Sequence, residues 1–123
     1  MSGSGVPKAP AGTAAPGRRL WASVVDVYEL EHHEIVLLTE AVRTVDLLAA
    51  LDDAVRADGA LVESPQGLKA HPGAVEARQQ RIALARLLGA LRLPAGGEGD
   101  RQANARPARK VGVRGFYAVR GVS

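Results

Sequence analysis

Apolar side chains recur at three- and four-residue steps in three separate stretches of this chain, and each stretch predicts a helix with one face turned to a core. The first covers residues 18–29, where Leu20, Trp21, Val24, Val25 and Tyr28 share a stripe while Arg19, Asp26 and Glu29 fall off it. After a tight connection over 30–33, a second helix spans 34–57. Its apolar positions are Ile35, Leu37, Leu38, Ala41, Val42, Val45, Leu48, Leu51 and Val55. That band is too wide for one seam and implies burial on two sides. Gly59 stands just past the end, where a left-handed cap would sit.

The third helix, 72–91, opens on Pro72, whose missing N–H costs nothing at a first helical position, and it stops short of Pro94. Its apolar set is Val75, Ile82, Leu84, Ala85, Leu87, Leu88 and Leu91. Gly89 inside it costs about 1 kcal/mol relative to alanine. A close helix neighbour would need that space; a fraying end would tolerate it. Between the second and third helices, residues 60–70 read as a short β-hairpin, with Pro65 second and Gly67 fourth in a type I turn. An isolated two-stranded hairpin is marginal in water, so this one must lean on the helices or on a neighbouring subunit.

The fold class is therefore mainly α: three helices with a short β-hairpin. A Gly/Ala/Pro-rich disordered arm over 1–17 and a Gly-rich basic tail over 95–123 flank a helical core over 18–94. A core of that size without disulfides or a metal is only marginally stable alone, which points to a homo-oligomer. The chain has no cysteine, so disulfides, thiolate nucleophiles and Cys-ligated zinc are excluded. No run approaches the ~18 apolar residues of a membrane span, and the amino terminus lacks the apolar stretch of a signal peptide. The expectation is a soluble, cytoplasmic protein with no membrane partner.

Charge changes the picture more through its distribution than through its net value of +3. Residues 20–94 hold 11 acidic and 7 basic side chains, whereas the two ends are basic. Arginines outnumber lysines 13 to 3 in a chain rich in Ala, Gly and Val, a bias that a GC-rich coding sequence produces, so arginine content alone does not signal nucleic-acid binding. The tail is more informative. From residue 102 onward it carries Arg106, Arg109, Lys110, Arg114 and Arg120, no acidic residue, and the Phe116-Tyr117 pair. Cations track phosphates and release counterions, while aromatic faces stack on bases or pack on a partner. Arg18 and Arg19 form the second basic group.

Catalytic chemistry finds little support. There is no G-x-x-x-x-G-K-[ST] loop for ATP, and no serine lies in a G-x-S-x-G elbow. His32 and His33 beside Glu34 lack the i, i+4 spacing of a helical metal site, and His71 has no carboxylate or cysteine at ligand spacing. No cofactor, no metal and no enzymatic activity are expected.

Several spaced features bring a family into view. Leu20-Trp21 with Tyr28-x-Leu30 closes the first helix, and an acidic-start second helix from Glu34 contains Asp46. A Gly-bounded hairpin ends in His71-Pro72, and Glu76-Ala77-Arg78-Gln79-Gln80 opens a leucine-rich helix ending Leu91-x-Leu93-Pro94. In this order and spacing, over residues 20–94, the chain resembles the small terminase subunits of tailed phages. The resemblance implies a non-catalytic packaging factor that assembles into a ring, recognises double-stranded viral DNA and delivers it to the large terminase subunit, which holds the ATPase and nuclease. It also implies the cytoplasm of an infected bacterial host as the place of action, and absence from the mature virion. One departure is evident: nothing ahead of Leu20 can form the amino-terminal helix-turn-helix that many such subunits carry, and the second helix is too apolar to read DNA. DNA contact is then expected from Arg18, Arg19, Arg106, Arg109, Lys110, Arg114 and Arg120, with Phe116 and Tyr117 as partner-binding residues. Two other classes compete. One is a helical oligomeric interaction scaffold that does not bind DNA; the other is a small enzyme with a site built across subunits.

Overall fold

The computed structural model describes residues 5–94 and 107–109. Along the chain these form α1 (Ala15–Val25), β1 (Tyr28–Glu29), α2 (His32–Asp58), β2 (Leu61–Ser64), β3 (Gly67–Ala70), α3 (Pro72–Leu91) and β4 (Ala108–Arg109). The architecture is mainly helical, with three helices and a β-hairpin in the expected order. No helix of the described residues is long and apolar enough to cross a membrane.

Helices α2 and α3 form an antiparallel hairpin. Arg81 of α3 grips both carboxylate oxygens of Asp52 on α2, at 2.8 and 2.9 Å, and Gly73 comes close to Val55. The start of α3 thus lies beside the end of α2. Helix α1 covers the other end of this pair. Trp21, Val24 and Val25 of α1, Leu38 and Val42 of α2, and Leu91 of α3 make one buried cluster. Burying each such aliphatic side chain contributes roughly 1.5–3 kcal/mol. The wide apolar band of α2 is explained by this arrangement, since it meets both α1 and α3.

Helix ends account for the observed boundaries. α2 begins at His32, two residues before the expected start, because Glu34 acts from the third helical position: its Oε1 accepts the Glu31 N–H at 2.7 Å. This partner, together with the positive end of the helix dipole, lets a carboxylate be buried there. Gly59 ends the helix with φ 92°, as a glycine should, but its ψ of 156° directs the chain into the β2 strand instead of a left-handed helical turn. α3 starts on Pro72 as expected, and the His71 ring caps it by accepting the Gly73 N–H on Nδ1 at 2.8 Å. The same ring meets Asp58 through Nε2 at 2.9 Å, which fixes the ring proton on Nε2.

The first helix departs most from expectation. It occupies Ala15–Val25, so Ala15-Pro16-Gly17 belongs to the helix and not to an arm, and Tyr28 and Glu29 belong to a strand. Nothing in the local sequence caps it: Ala14 is at the N-cap and makes no side-chain bond. Asp46, reaching over from α2, takes that role. Its Oδ2 accepts the Ala14 N–H and its Oδ1 accepts the Gly17 N–H, both at 2.7 Å. One carboxylate therefore makes both bonds of a capping box, from 29 residues away. Gly17 is the residue that permits the approach, since a Cβ there would lie 2.8 Å from both Asp46 oxygens and 2.7 Å from Thr13 Cγ2. Ahead of the helix, the Trp21 indole N–H donates to the Pro7 carbonyl at 2.8 Å, and Ala9 packs on the core. The described part of the 1–17 segment is thus laid along the core.

The hairpin β2–β3 has the register Leu61↔Ala70 to Ser64↔Gly67, with Pro65 and Gln66 in the loop. Every β3 residue is exposed, and Leu61 and Leu68 are 59% and 65% accessible. The hairpin buries almost nothing against its own chain.

Candidate nucleic-acid interface

The described members of the two basic groups expected from the sequence stand at opposite ends of α1. Arg18 and Arg19 lie in its first turns, both exposed, and Arg18 is held by an Nη1 bond to the Thr13 carbonyl at 2.7 Å. Arg109 lies beyond the other end, in β4, which pairs antiparallel with β1 so that Arg109 stands opposite Tyr28 and Ala108 opposite Glu29. About 10 Å of helix separates Arg18 from Val25 at 1.5 Å per residue. Arg106, Lys110, Arg114, Arg120, Phe116 and Tyr117 lie outside the described residues.

The geometry around Arg109 is informative. Its guanidinium sits 5.9 Å from the centroid of the Tyr28 ring, within range of a cation–π contact worth about 0.5–1 kcal/mol at an exposed site. Pro107, two residues before it, is buried. The stretch that receives the tail, residues 20–34, contains Asp26, Glu29, Glu31 and Glu34 and no lysine or arginine. Residues 108–109 are thus held on an acidic connection by two-residue strand pairing and a cation–π contact. Arg109 is held against Tyr28, so a phosphate contact by it would compete with that ring. The Tyr28 platform escaped sequence reading because the ring fits the α1 stripe equally well, and only pairing with a residue some eighty positions later moves it into a strand.

Among the described residues no three His, Asp or Glu side chains are grouped to hold a metal ion. His32 and His33 are exposed in the first turn of α2, and His71 is occupied as a helix cap. A further basic feature was not singled out in the sequence: Arg78 and Arg86 are exposed on the side of α3 turned away from α2, whereas Arg81 is committed to Asp52. On the same side Val75 and Ile82, expected as part of the α3 core face, are 44% and 45% accessible. Comparison with protein families, with curated proteins and with solved structures finds no match to this chain.

Proposed function

We propose that this chain is the small subunit of a tailed-phage terminase: a packaging factor without an active site of its own. In this reading it assembles into a ring, binds double-stranded viral DNA in the infected cell and passes it to the large ATPase and nuclease subunit. The observation that carries the reading is the residue set of 20–94 taken in order. Leu20-Trp21 lies in α1, Tyr28-x-Leu30 crosses β1, Glu34 and Asp46 sit in α2, His71-Pro72 joins the hairpin to α3, and Leu91-x-Leu93-Pro94 closes it. Several of these residues have structural work that explains their types: Trp21 and Leu91 in the core, Asp46 and His71 as caps.

The charge layout supports a division of labour. An acidic body repels phosphates, so the grip comes from the ends, through Arg18 and Arg19 and through Arg106, Lys110, Arg114 and Arg120, with Arg109 at the anchored base of the tail. Clipping the tail at β4 keeps its cations near the body and raises their effective concentration beside bound DNA. Phe116 and Tyr117, beyond the clip, are the contacts offered to the large subunit. The scaffold reading keeps the same fold but assigns the tail to a protein partner. In the scaffold reading, changing both aromatics to alanine should abolish partner capture and leave DNA retention untouched. The reading itself is tested by mixing duplex viral DNA, this chain and the large subunit of the same phage. Retention of DNA by the large subunit should require this chain; equal retention without it refutes the role.

A further inference from the structure

We infer that His71 is a proton-sensitive joint: a proton on its ring withdraws the cap from α3 and leaves the ring bound to α2 alone. All four polar groups of this residue are engaged. Its backbone N–H donates to the Ala60 carbonyl at 2.8 Å, and its own carbonyl accepts the Ala74 and Val75 N–H groups at 2.9 and 3.2 Å. In the ring, Nδ1 accepts the Gly73 N–H at 2.8 Å and Nε2 meets Asp58 Oδ2 at 2.9 Å. Gly73 lets the ring lie this close, because a Cβ there would stand 3.1 Å from both Nδ1 and Cε1. One residue thus ties the end of α2, the start of the hairpin and the start of α3. The joint is remote from the buried core: about 24 Å of α2 separates Val42 from Asp58.

The cap exists in one protonation state only. Neutral imidazole carries one acceptor nitrogen, and imidazolium carries none, since both nitrogens then donate. With the Nε2 proton given to Asp58, the added proton goes to Nδ1 and points at the Gly73 N–H. Two donors then face each other, and the positive end of the α3 dipole adds to the repulsion. Serine or asparagine in the same place would keep an oxygen acceptor from pH 5 to 8, the range in which histidine changes charge. The surrounding charges decide which bond the ring keeps. From α2, Asp58 faces it, while Asp53 and Arg56 pair with each other at 2.9 Å. α3 has no acidic side chain in its first turn, and Glu76 beyond it accepts from Gln80. The hairpin brings Lys69, which stands across from Val62. Among the described residues the imidazolium thus has the Asp58 carboxylate to hold it, through a bond that becomes charge-assisted. The gain at Asp58 and the loss at Gly73 oppose each other, so the proton changes what the ring holds more than it changes the stability of the whole fold. The opening is local: an N–H in the first turn has no acceptor within its own helix, so that of Gly73 returns to water once the ring lets go. The hairpin, joined to α3 through His71, then gains freedom to pivot on the helical pair.

Amide hydrogen exchange of the full chain, resolved by residue in NMR and corrected for the intrinsic effect of pH, tests this at the two ends of the His71 ring titration. The nitrogen shifts of the ring mark those ends and should show Nδ1 without a proton at the alkaline one. Protection of the Gly73 amide should fall about fivefold at the acid end, the contribution of one N-cap, while Leu38, Val42 and Leu91 keep theirs. His71→Asn keeps an acceptor at every pH, so its Gly73 protection should stay constant over the same range. His32→Gln/His33→Gln leaves His71 as the remaining histidine and should reproduce the wild-type loss, which assigns it even if the first variant does not fold. Gly73 protection that stays constant through the ring titration overturns the inference. So does a proton on Nδ1 at the alkaline end, a loss shared by Leu38, Val42 and Leu91, a loss that persists in His71→Asn, or one that vanishes in His32→Gln/His33→Gln.

Discussion

Removing the carboxylate of Asp46 should destabilise the protein at its first helix. Ala14, Pro16 and Gly17 give α1 no cap of its own, and Asp46 alone accepts the Ala14 and Gly17 N–H groups, each at 2.7 Å. Loss of an N-cap costs about 0.5–2 kcal/mol. Loss of a partly buried negative charge at a helix N-terminus adds as much as ~2 kcal/mol. Asp46→Ala should therefore cost about 2–3 kcal/mol, and Asp46→Asn, which keeps one of the two acceptors but turns an NH2 donor towards the other N–H, should cost nearly as much, about 2 kcal/mol. For a domain of this size the alanine variant should melt roughly 10–20 °C lower. Urea unfolding followed by Trp21 fluorescence, at one fixed chain concentration because self-association shifts the midpoint, measures the loss directly. The midpoint should fall with the slope unchanged. Gly17→Ala gives the independent check: its Cβ would enter within 2.8 Å of both Asp46 oxygens and displace them. The cost of Gly17→Ala should shrink by about 1 kcal/mol in the Asp46→Ala background, since the two changes break the same contact. An Asp46→Ala protein within about 0.5 kcal/mol of the parent, or strict additivity with Gly17→Ala, would refute the shared cap.

Three smaller perturbations follow from the same contacts. Gly89→Ala should stabilise the isolated fold by roughly 0.5–1 kcal/mol in urea unfolding, since no described residue lies within 4 Å of the new methyl group; a loss of stability would mean that the face is already occupied. His71→Ala should cost about 1 kcal/mol by removing the α3 cap, and His71→Asn should recover at least half of it in the same assay. Deleting residues 1–9 should leave the Trp21 indole N–H without its Pro7 acceptor and shift its emission to longer wavelength, while an unchanged spectrum would show that the segment does not cover the ring.

How much of this was legible in the sequence depends on how local each signal is. The three helices, the Pro65-Gln66 loop, Pro72 at the start of α3 and Gly59 at the end of α2 all rest on neighbours in sequence, and residue types alone place them. The bounds of α1 do not. Ala15-Pro16-Gly17 reads as a breaker because its capping group, Asp46, arrives from another helix. Tyr28 joins a strand only because Ala108 and Arg109 return to it. Burial on α3 misleads in the opposite sense: Val75 and Ile82 have the spacing of a core face but no covering element among the described residues. For the candidate site, composition located the basic ends, yet the clip that positions Arg109 against Tyr28 is a long-range contact without periodicity.

The central claim is that an acidic helical body holds duplex DNA through its basic tail, and salt dependence of binding tests it most directly. With Arg106, Lys110, Arg114 and Arg120 engaged and Arg109 held on Tyr28, log affinity against log salt concentration should fall with a slope of roughly −3 to −4 per engaged chain, at about −0.9 per phosphate contact. Truncation after Pro94 should abolish most of that slope while leaving the self-association intact. A truncated protein with an unchanged slope, or a full chain that does not retain duplex DNA at low salt, would contradict it.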